Sequence, residues 1–211
     1  MSDLLLVRHG ETAWSANGRH TGRTDIPLTA RGVEEAICLA PYFRDRRPAL
    51  VLTSPLRRAV ATAELAGLPG AGIDSDLYEW DYGGYEGITT AEIHRTTPDW
   101  SLWTHGVPPG DADHPGESAA QVGARADRVL ARVAPVLRGD DGDVVLVAHG
   151  HFLRVLTARY LRLDPEYGRL FLLRTGTVST LSTERGLPVV AGWNARDRPR
   201  PRSPRASGPP A

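Results

Sequence analysis

The sequence predicts an α/β fold, a three-layer sandwich in which helices cover both faces of a mainly parallel β-sheet with one antiparallel edge strand. Short apolar runs alternate with longer stretches of helical periodicity, and this alternation is typical of a parallel sheet covered by helices. The last two runs are separated only by Glu184-Arg185-Gly186, and a glycine in so short a connection favours a hairpin. The hairpin provides the antiparallel edge.

The predicted strands coincide with the apolar runs, near residues 3–8, 49–53, 143–148, 177–183 and 188–193. Thr29 is expected to cap the first long helix, because its hydroxyl can accept a hydrogen bond from a free N–H of the first turn. A helix near Pro55 is expected because proline suits a first turn. The predicted helices run from Thr29 to Phe43, from about Pro55 to Leu65, from about Gly116 to Leu137, and from just after Gly150 to about Leu161. Residues 79–118 are expected to form a short helix and a long excursion over the active edge of the sheet.

The composition excludes several kinds of chemistry. The 211 residues are 41% hydrophobic and 24% charged, as in an ordinary globular protein of one domain. All 25 basic residues are arginine, so a Walker-type phosphate loop, a pyridoxal Schiff base and a kinase-type lysine are excluded. Cys38 is the only cysteine, which excludes a disulfide framework and a Cys-rich zinc site. We expect it to be a buried structural thiol.

The charge distribution divides the chain into a domain over residues 1–195 and a tail over residues 196–211. The tail holds five Arg and one Asp among prolines and small residues, a composition that is too polar to fold. The remainder carries a small negative excess and no clustered basic face, so no nucleic-acid partner is expected. No segment has the length of a signal-peptide core or a membrane span, which predicts a cytoplasmic protein without a membrane partner.

Two histidines follow apolar strands and precede glycine. His9 ends the run Leu4–Arg8, and His149 ends the run that begins at Val144. The carboxyl ends of parallel strands open on one edge of the sheet, so we expect the two imidazoles to converge there. A third strand end leads into Arg57 and Arg58 at the start of a helix, where a guanidinium and the helix N-terminus both favour an anion. This combination predicts a phosphate pocket with a nucleophilic histidine.

A carboxylic acid for proton transfer is expected between these motifs. Glu79 and Asp81 lie two residues apart, and in a strand both would point to the same face. The residues alone leave the choice between them open.

These segments resemble the histidine phosphatase superfamily, the phosphoglycerate-mutase-like group, and most closely its small acid phosphatase and sugar bisphosphatase branches. The resemblance covers nearly everything except the tail, which makes residues 1–195 a histidine phosphatase domain. It rests on Arg8-His9-Gly10, on Ser54-Pro55-Leu56-Arg57-Arg58-Ala59 with Thr62-Ala63, on Leu77-Tyr78-Glu79-Trp80-Asp81-Tyr82-Gly83-Gly84-Tyr85-Glu86-Gly87, and on Val147-Ala148-His149-Gly150.

The resemblance implies a role for each matched residue. His9 takes the position of the nucleophile, Arg8 and Arg58 those of phosphate ligands, Glu79 that of the acid, and His149 that of the second histidine. Further implied phosphate ligands are Gly150, Ser15, which stands where the family often has Asn, and Thr21, which stands where relatives have Gln, Ser or Thr.

The implied activity is a metal-independent phosphatase that hydrolyses phosphomonoesters of small metabolites through a phosphohistidine. Neutral His9 would attack phosphorus while Arg8, Arg58 and a protonated His149 offset the dianion. Glu79 would protonate the leaving alcohol and then take a proton from water. No metal and no cofactor is expected, and a second copy of the chain is a candidate partner.

Two other functions remain open. A phosphoglycerate mutase is the first, although the segment from Tyr82 to Gly87 looks more like the phosphatase version. A catalytically weak regulatory module that engages an acidic partner through the tail is the second. Trp100, Trp103 and His105 are candidates for shaping the leaving-group pocket, and structural or surface roles are expected for the remaining histidines, His20, His94, His105, His114 and His151.

Overall fold

The computed structural model describes residues 2–139 and 141–196. Six strands form one sheet in the order β3-β2-β4-β1-β5-β6. Their bounds are β1 Leu4–Arg8, β2 Leu50–Thr53, β3 Gly72–Ile73, β4 Val144–Ala148, β5 Thr177–Glu184 and β6 Leu187–Ala195. Strands β1 to β4 pair in parallel, whereas β5 runs antiparallel to both of its neighbours, β1 and β6. The parallel sheet with an antiparallel hairpin at one edge is therefore confirmed; β3 was not predicted, because two residues show no pattern.

Eight α-helices lie in the described ranges, besides three short 3-10 helices: α1 Ala13–Ala16, α2 Ala30–Ile37, α3 Ala40–Phe43, α4 Arg57–Leu65, α5 Thr90–His94, α6 Leu102–His105, α7 Ala119–Gly139 and α8 Gly150–Tyr160. Thr29 caps α2, as predicted, and accepts a hydrogen bond from the Gly32 N–H. The predicted single helix to Phe43 is wrong, since α2 ends at Ile37. Pro41 lacks the N–H that would continue the helical ladder, so the chain breaks and restarts as α3.

The central strands are buried on both faces. Leu4 and Leu6 of β1 pack in a core with α7 and α8, and Leu5 and Val7 pack in a second core with α3 and α4. Alternate side chains of a strand point to opposite faces of the sheet, so alternate residues of the apolar run pack against the two different layers of helices. This double burial holds the carboxyl ends of β1 and β4 side by side, with Arg8 opposite Ala148.

Cys38 is exposed, contrary to expectation. It follows the last residue of α2, whose buried face consists of Gly32, Glu35 and Ala36. Successive residues of a helix are rotated by about 100°, so position 38 lies more than a quarter turn from the centre of that face.

The predicted tail lies outside the described residues except for Arg196, whose guanidinium is 3.3 Å from Glu35. The boundary at residue 195 stays a prediction. Within the described ranges, every helix is too short or too polar to cross a membrane.

Two glycines allow α2 to approach the loop that follows β1. A Cβ on Gly32 would lie 2.0 Å from the Glu11 carbonyl oxygen, and a Cβ on Gly10 would lie 2.2 Å from the Gly32 carbonyl oxygen. Neither space admits a methyl group, so both glycines serve close backbone contact.

We therefore expect Gly32→Ala to lower the free energy of unfolding by about 1–3 kcal/mol, because the methyl group forces backbone apart and outweighs any gain in helix propensity. Gly192→Ala is the matched control, since the nearest atom to its added Cβ is 3.7 Å away. Urea denaturation of the three proteins measures both changes. Equal stability of Gly32→Ala and the unsubstituted chain would contradict this view of the loop.

Candidate active site

The carboxyl ends of β1, β4 and β2 bring the predicted motifs together. The His9 and His149 rings, at the ends of β1 and β4, lie 5.1 Å apart between centroids. The Arg58 Nε donates a hydrogen bond to His149 Nδ1 at 3.2 Å, and Ser54 Oγ lies 2.7 Å from His149 Nε2. The convergence expected from strand order is present in the structure.

His9 is held as a neutral imidazole with one free nitrogen. Its Nδ1 lies 2.7 Å from the Gly10 carbonyl oxygen, and a carbonyl only accepts hydrogen bonds, so Nδ1 carries the proton. Burial is the main cause that lowers the pKa of His9 well below its ordinary value, followed by the charges of Arg58 and Arg8. Its Nε2 therefore keeps a lone pair.

His149 is also neutral, with the opposite tautomer. Because Arg58 donates to Nδ1, the ring proton lies on Nε2 and is donated to Ser54. Burial, and next the Arg58 charge, lower the pKa of His149 well below its ordinary value. In this structure a guanidinium in contact with the ring disfavours a second positive charge, and the protonated His149 expected beside a bound dianion stays a prediction.

The guanidiniums of Arg8 and Arg58, near the two histidines, have no carboxylate partner among the described residues. Arg58 is fully buried and donates to the carbonyl oxygens of Gly22 and Thr24 at 2.8 and 2.9 Å. Arg8 donates from Nη1 to the Leu173 carbonyl oxygen, and its buried Nε has no partner in the described part of the chain. Both cations are thus fixed in place with their charges free for an anion.

Arg57 lies elsewhere. Its guanidinium is exposed and bonds to Asp25, 3.1 Å from that residue's carbonyl oxygen. The structure therefore brings Arg58, and not its neighbour, to the two histidines.

The two candidate acids occupy different surroundings. Glu79 is nearly buried at the N-terminus of α8, where its carboxylate accepts N–H groups of His151 at 3.0 Å and Phe152 at 2.7 Å. Asp81 is fully buried, accepts the Gly83 N–H and lies 3.4 Å from Arg23. Glu79 lines the cleft that also contains His9, and Asp81 does not.

That cleft has a volume of about 230 Å³. It is lined by the predicted residues Arg8, His9, Ser15, Thr21, Glu79 and Gly150, and by Gly18, Arg19, His20, Tyr82, Thr90, His151 and Arg154, which were not assigned to the site from the sequence. Arg58 and His149 are fully buried and do not line it. Gly150 lets the floor close, since a Cβ there would lie 3.1 Å from the Arg8 guanidinium carbon.

The hydroxyl groups of Ser15 and Thr21, both predicted as phosphate ligands, form hydrogen bonds to backbone groups close to them in the chain. Ser15 Oγ accepts the Thr12 N–H at 2.9 Å while Thr12 Oγ1 accepts the Ser15 N–H, a capping box at α1, and Ser15 Oγ also donates to the Thr12 carbonyl oxygen. Thr21 Oγ1 donates to the Arg19 carbonyl oxygen. Both side chains reach the cleft wall, but a ligand would have to compete with these bonds.

Two histidines expected to be structural form the outer wall of the cleft. His151 Nδ1 lies 2.6 Å from the Tyr82 hydroxyl, and the His20 ring packs 4.8 Å from the Tyr82 ring. Burial lowers the pKa of His20 to about 4 and that of His151 well below its ordinary value. His151 could have been found from sequence, because it lies in the first turn of α8, directly after the histidine motif.

Trp100 and Trp103, from the segment 79–118, pack against residues of this wall. Trp103 packs 5.3 Å from His151 and 4.7 Å from the Arg154 guanidinium, and Trp100 packs 5.6 Å from His20. They shape the wall through these neighbours. His105 is exposed and bonds to the Ser101 N–H, away from the cleft.

Within residues 2–139 and 141–196, no group of three or more His, Cys, Asp or Glu side chains is arranged to hold a metal ion.

The sequence and fold assign the chain to a family. The sequence model of the histidine phosphatase superfamily (branch 1) matches residues 4–196. The chain therefore belongs to the histidine phosphatase superfamily, as the motifs predicted.

Individual relatives are similar over most of their length. An acid phosphatase of Mycobacterium tuberculosis is 40% identical over 200 residues, which cover 94% of this chain and 95% of that protein. A probable phosphoglycerate mutase of Salmonella paratyphi C is 33% identical over 199 residues, which cover 92% of this chain and 90% of that protein. A solved structure from Mycobacterium tuberculosis, 40% identical, superposes with a TM-score of 0.83 and covers 92% of this chain and 97% of its own.

The neutral histidines of the site predict how stability changes with pH. His9, His20, His149 and His151 all have lowered pKa values in the folded chain, whereas in the unfolded chain they bind protons near pH 6.5. Below that pH the unfolded state holds more protons, so the free energy of unfolding falls as pH falls. We expect up to about 1.4 kcal/mol per pH unit for each histidine that stays neutral.

Urea denaturation between pH 7.5 and 5 measures this slope above the range in which most carboxylates titrate. His20→Gln should reduce the slope. A stability that is constant across this range would show that the four rings protonate in the folded chain as they do in the unfolded one.

Proposed function

We propose that this protein is a metal-independent phosphatase of the histidine acid phosphatase type, which hydrolyses phosphomonoesters of small metabolites through a phosphohistidine on His9. The observation that carries the proposal is the neutral His9 with a free Nε2, beside the guanidiniums of Arg8 and Arg58 that no described carboxylate neutralises. A nucleophile next to an unfilled anion site is what phosphoryl transfer requires.

In the first step, the Nε2 lone pair of His9 forms a bond to phosphorus while the bond to the leaving oxygen breaks. Arg8 and Arg58 offset the charge on the transferred group. The N–H of Gly150, at the start of α8, is proposed as a further donor, with Ser15 and Thr21 at the rim. His149 acts from beneath, through its contact with Arg58.

Glu79 is proposed to donate the proton that the leaving alcohol needs. In the second step a water attacks phosphorus, Glu79 takes the water's proton, the phosphorus–nitrogen bond breaks, and inorganic phosphate leaves. Its position supports both roles, because backbone N–H groups of α8 hold the carboxylate at the cleft that contains His9. The proposed setting is the cytoplasm, and a homodimer is the proposed assembly.

A phosphoglycerate mutase is the second candidate, because two similar proteins are named as probable phosphoglycerate mutases. The two functions are separated by incubation with 3-phosphoglycerate, since a mutase forms 2-phosphoglycerate and a phosphatase releases phosphate. The third candidate, a regulatory module, predicts little turnover of any phosphomonoester.

We expect hydrolysis of p-nitrophenyl phosphate in the presence of EDTA, and a loss of at least about 10³-fold in His9→Ala, because no other group in the site replaces the nucleophile. His105→Ala is the matched control, since this histidine is exposed and outside the cleft. Turnover that needs an added metal, or that survives in His9→Ala, would refute the proposal.

If Glu79 is the acid, the activity lost by its variant should depend on the leaving group of the substrate. Glu79→Gln should lower the turnover of alkyl phosphates about 10²–10⁴-fold, but that of p-nitrophenyl phosphate much less, because nitrophenolate leaves without a proton. Asp81→Asn, the control, should affect both substrates alike if at all. Selective loss with alkyl phosphates in Asp81→Asn instead would transfer the role to Asp81.

A further inference from the structure

Glu86 belongs to a segment that matches the family, yet the proposed reaction gives it no role. It is half-buried and does not line the cleft. Its Oε1 accepts the N–H groups of Gly22 at 2.9 Å and Thr24 at 3.1 Å, and its Oε2 accepts the Gly22 N–H at 3.0 Å. A carboxylate that accepts several backbone N–H groups fixes the position of that backbone.

The loop that Glu86 holds, residues 21–24, is also the loop that surrounds Arg58. The Arg58 Nη2 donates to the carbonyl oxygens of Gly22 at 2.8 Å and Thr21 at 3.3 Å, and its Nη1 donates to that of Thr24 at 2.9 Å. Nη1 carries two N–H bonds, and it uses one of them within the described chain. The orientation of the other, which is available to an anion, therefore depends on where this loop lies.

One peptide group of the loop lies between Glu86 and Arg58. The peptide that joins Thr21 to Gly22 donates its N–H to Glu86 and accepts Arg58 Nη2 with its carbonyl oxygen. The N–H and C=O of a trans peptide point in opposite directions. The carboxylate on one side and the guanidinium on the other therefore strengthen each other's hydrogen bond.

The loop packs too closely against Glu86 to admit a side chain at position 22. A Cβ on Gly22 would lie 2.6 Å from the Trp80 carbonyl oxygen and 2.7 Å from Glu86 Oε2. Beside Glu86, the Gly87 N–H donates to the His20 carbonyl oxygen at 2.8 Å. The backbone on both sides of the contact is thus fixed, and the carboxylate reaches the loop from a defined base.

The charge of Glu86 is a weaker connection to Arg58 than these hydrogen bonds. Burial lowers the pKa of Arg58, and the groups that raise it are, in order of size, Glu79, Asp25, Tyr82 and Glu86. Glu86 contributes least of the four. Its geometry and not its charge is therefore expected to matter most.

We propose that Glu86 is a positioning residue for the phosphate site: it fixes the loop at residues 21–24, whose carbonyl oxygens aim the Arg58 guanidinium at the transferred phosphoryl group. The inference rests on the proposed function, because it concerns the binding of that group. Glu86 itself does not touch the substrate. Its loss should therefore weaken the binding of any phosphate analogue, whatever the leaving group.

The test is isothermal titration calorimetry with orthovanadate, a phosphate analogue whose binding is read without turnover. Glu86→Asp keeps the charge but is too short to reach the loop, and we expect it to bind at least about tenfold more weakly than the native chain, which is about 1.4 kcal/mol. Glu86→Gln loses the charge but keeps the reach, since Oε1 alone accepts both N–H groups in the native chain. It should bind at least about threefold more tightly than Glu86→Asp, or about 0.7 kcal/mol.

Glu92→Asp is the matched control. Glu92 also accepts a backbone N–H, that of Thr89 at 2.9 Å, but it lies outside the cleft and caps α5. Its variant should lose some thermal stability and keep the native affinity for orthovanadate.

A nuclear magnetic resonance signal reports the position of Arg58 directly. Its buried Nε–H, which donates to His149, gives a ¹H–¹⁵N signal that is assigned by its absence in Arg58→Lys. We expect this signal to shift in Glu86→Asp and to keep its native position in Glu92→Asp. A purely structural Glu86 would lower the melting temperature without moving either the signal or the affinity.

Native affinity or an unmoved Arg58 signal in Glu86→Asp would overturn the role, and so would weaker binding by Glu86→Gln than by Glu86→Asp, which would assign the effect to charge. A native chain that binds no orthovanadate would remove the phosphate site and this role with it. The proposed phosphatase activity fails separately, if the native chain binds orthovanadate but releases no phosphate from p-nitrophenyl phosphate.

Discussion

Much of the site follows from one buried cation. Arg58 lies fully buried under the cleft, held by backbone carbonyl oxygens and by His149, with no carboxylate partner in the described chain. A guanidinium in such surroundings keeps its charge, and the desolvated charge acts strongly on its neighbours. Burial is the larger cause that lowers the pKa of both imidazoles, and the Arg58 charge lowers it further. The same charge makes the adjoining cleft attractive to an anion, so the proposed nucleophile and the proposed phosphate site both depend on it.

The backbone that positions this charge comes from strand pairing and close packing. Parallel pairing of β1 with β4 and of β4 with β2 puts His9, His149 and Ser54 at adjoining strand ends. The glycines at positions 10 and 32 then let α2 close against the loop after β1. The double apolar burial of β1 and β4 gives these strand ends little freedom to move. A rigid sheet edge suits a reaction that depends on alignment.

The two sides of the cleft have different origins. The proposed phosphate side is built from strand ends and the first turns of α4 and α8, and its residues His9, Arg58 and Gly150 lie in recognisable motifs. The leaving-group side is built from the wall formed by His20, Tyr82, His151 and Arg154, which Trp100 and Trp103 support. Residues from distant parts of the chain meet there, so relatives that share the phosphate side can differ in the molecules they accept.

The sequence by itself determined the features that depend on local pattern. Apolar runs ending in histidine predicted strands and their active edge, Thr29 predicted a helix cap, and the motif around Arg8 and His9 predicted the family. The break at Pro41 was equally local, because a missing N–H acts within one turn, but the helical periodicity on either side concealed it.

Only the tertiary structure decided the rest, because it depends on which groups become neighbours after folding. The neutral state of His149 follows from contact with a guanidinium ninety-one residues earlier in the chain. Glu79 and Asp81 lie two positions apart in sequence, yet α8 holds Glu79 at the cleft while Arg23 faces Asp81. Glu86 meets the loop around the buried guanidinium across sixty-four residues of chain. Protonation and charge balance are properties of these long-range contacts, and no local pattern encodes them.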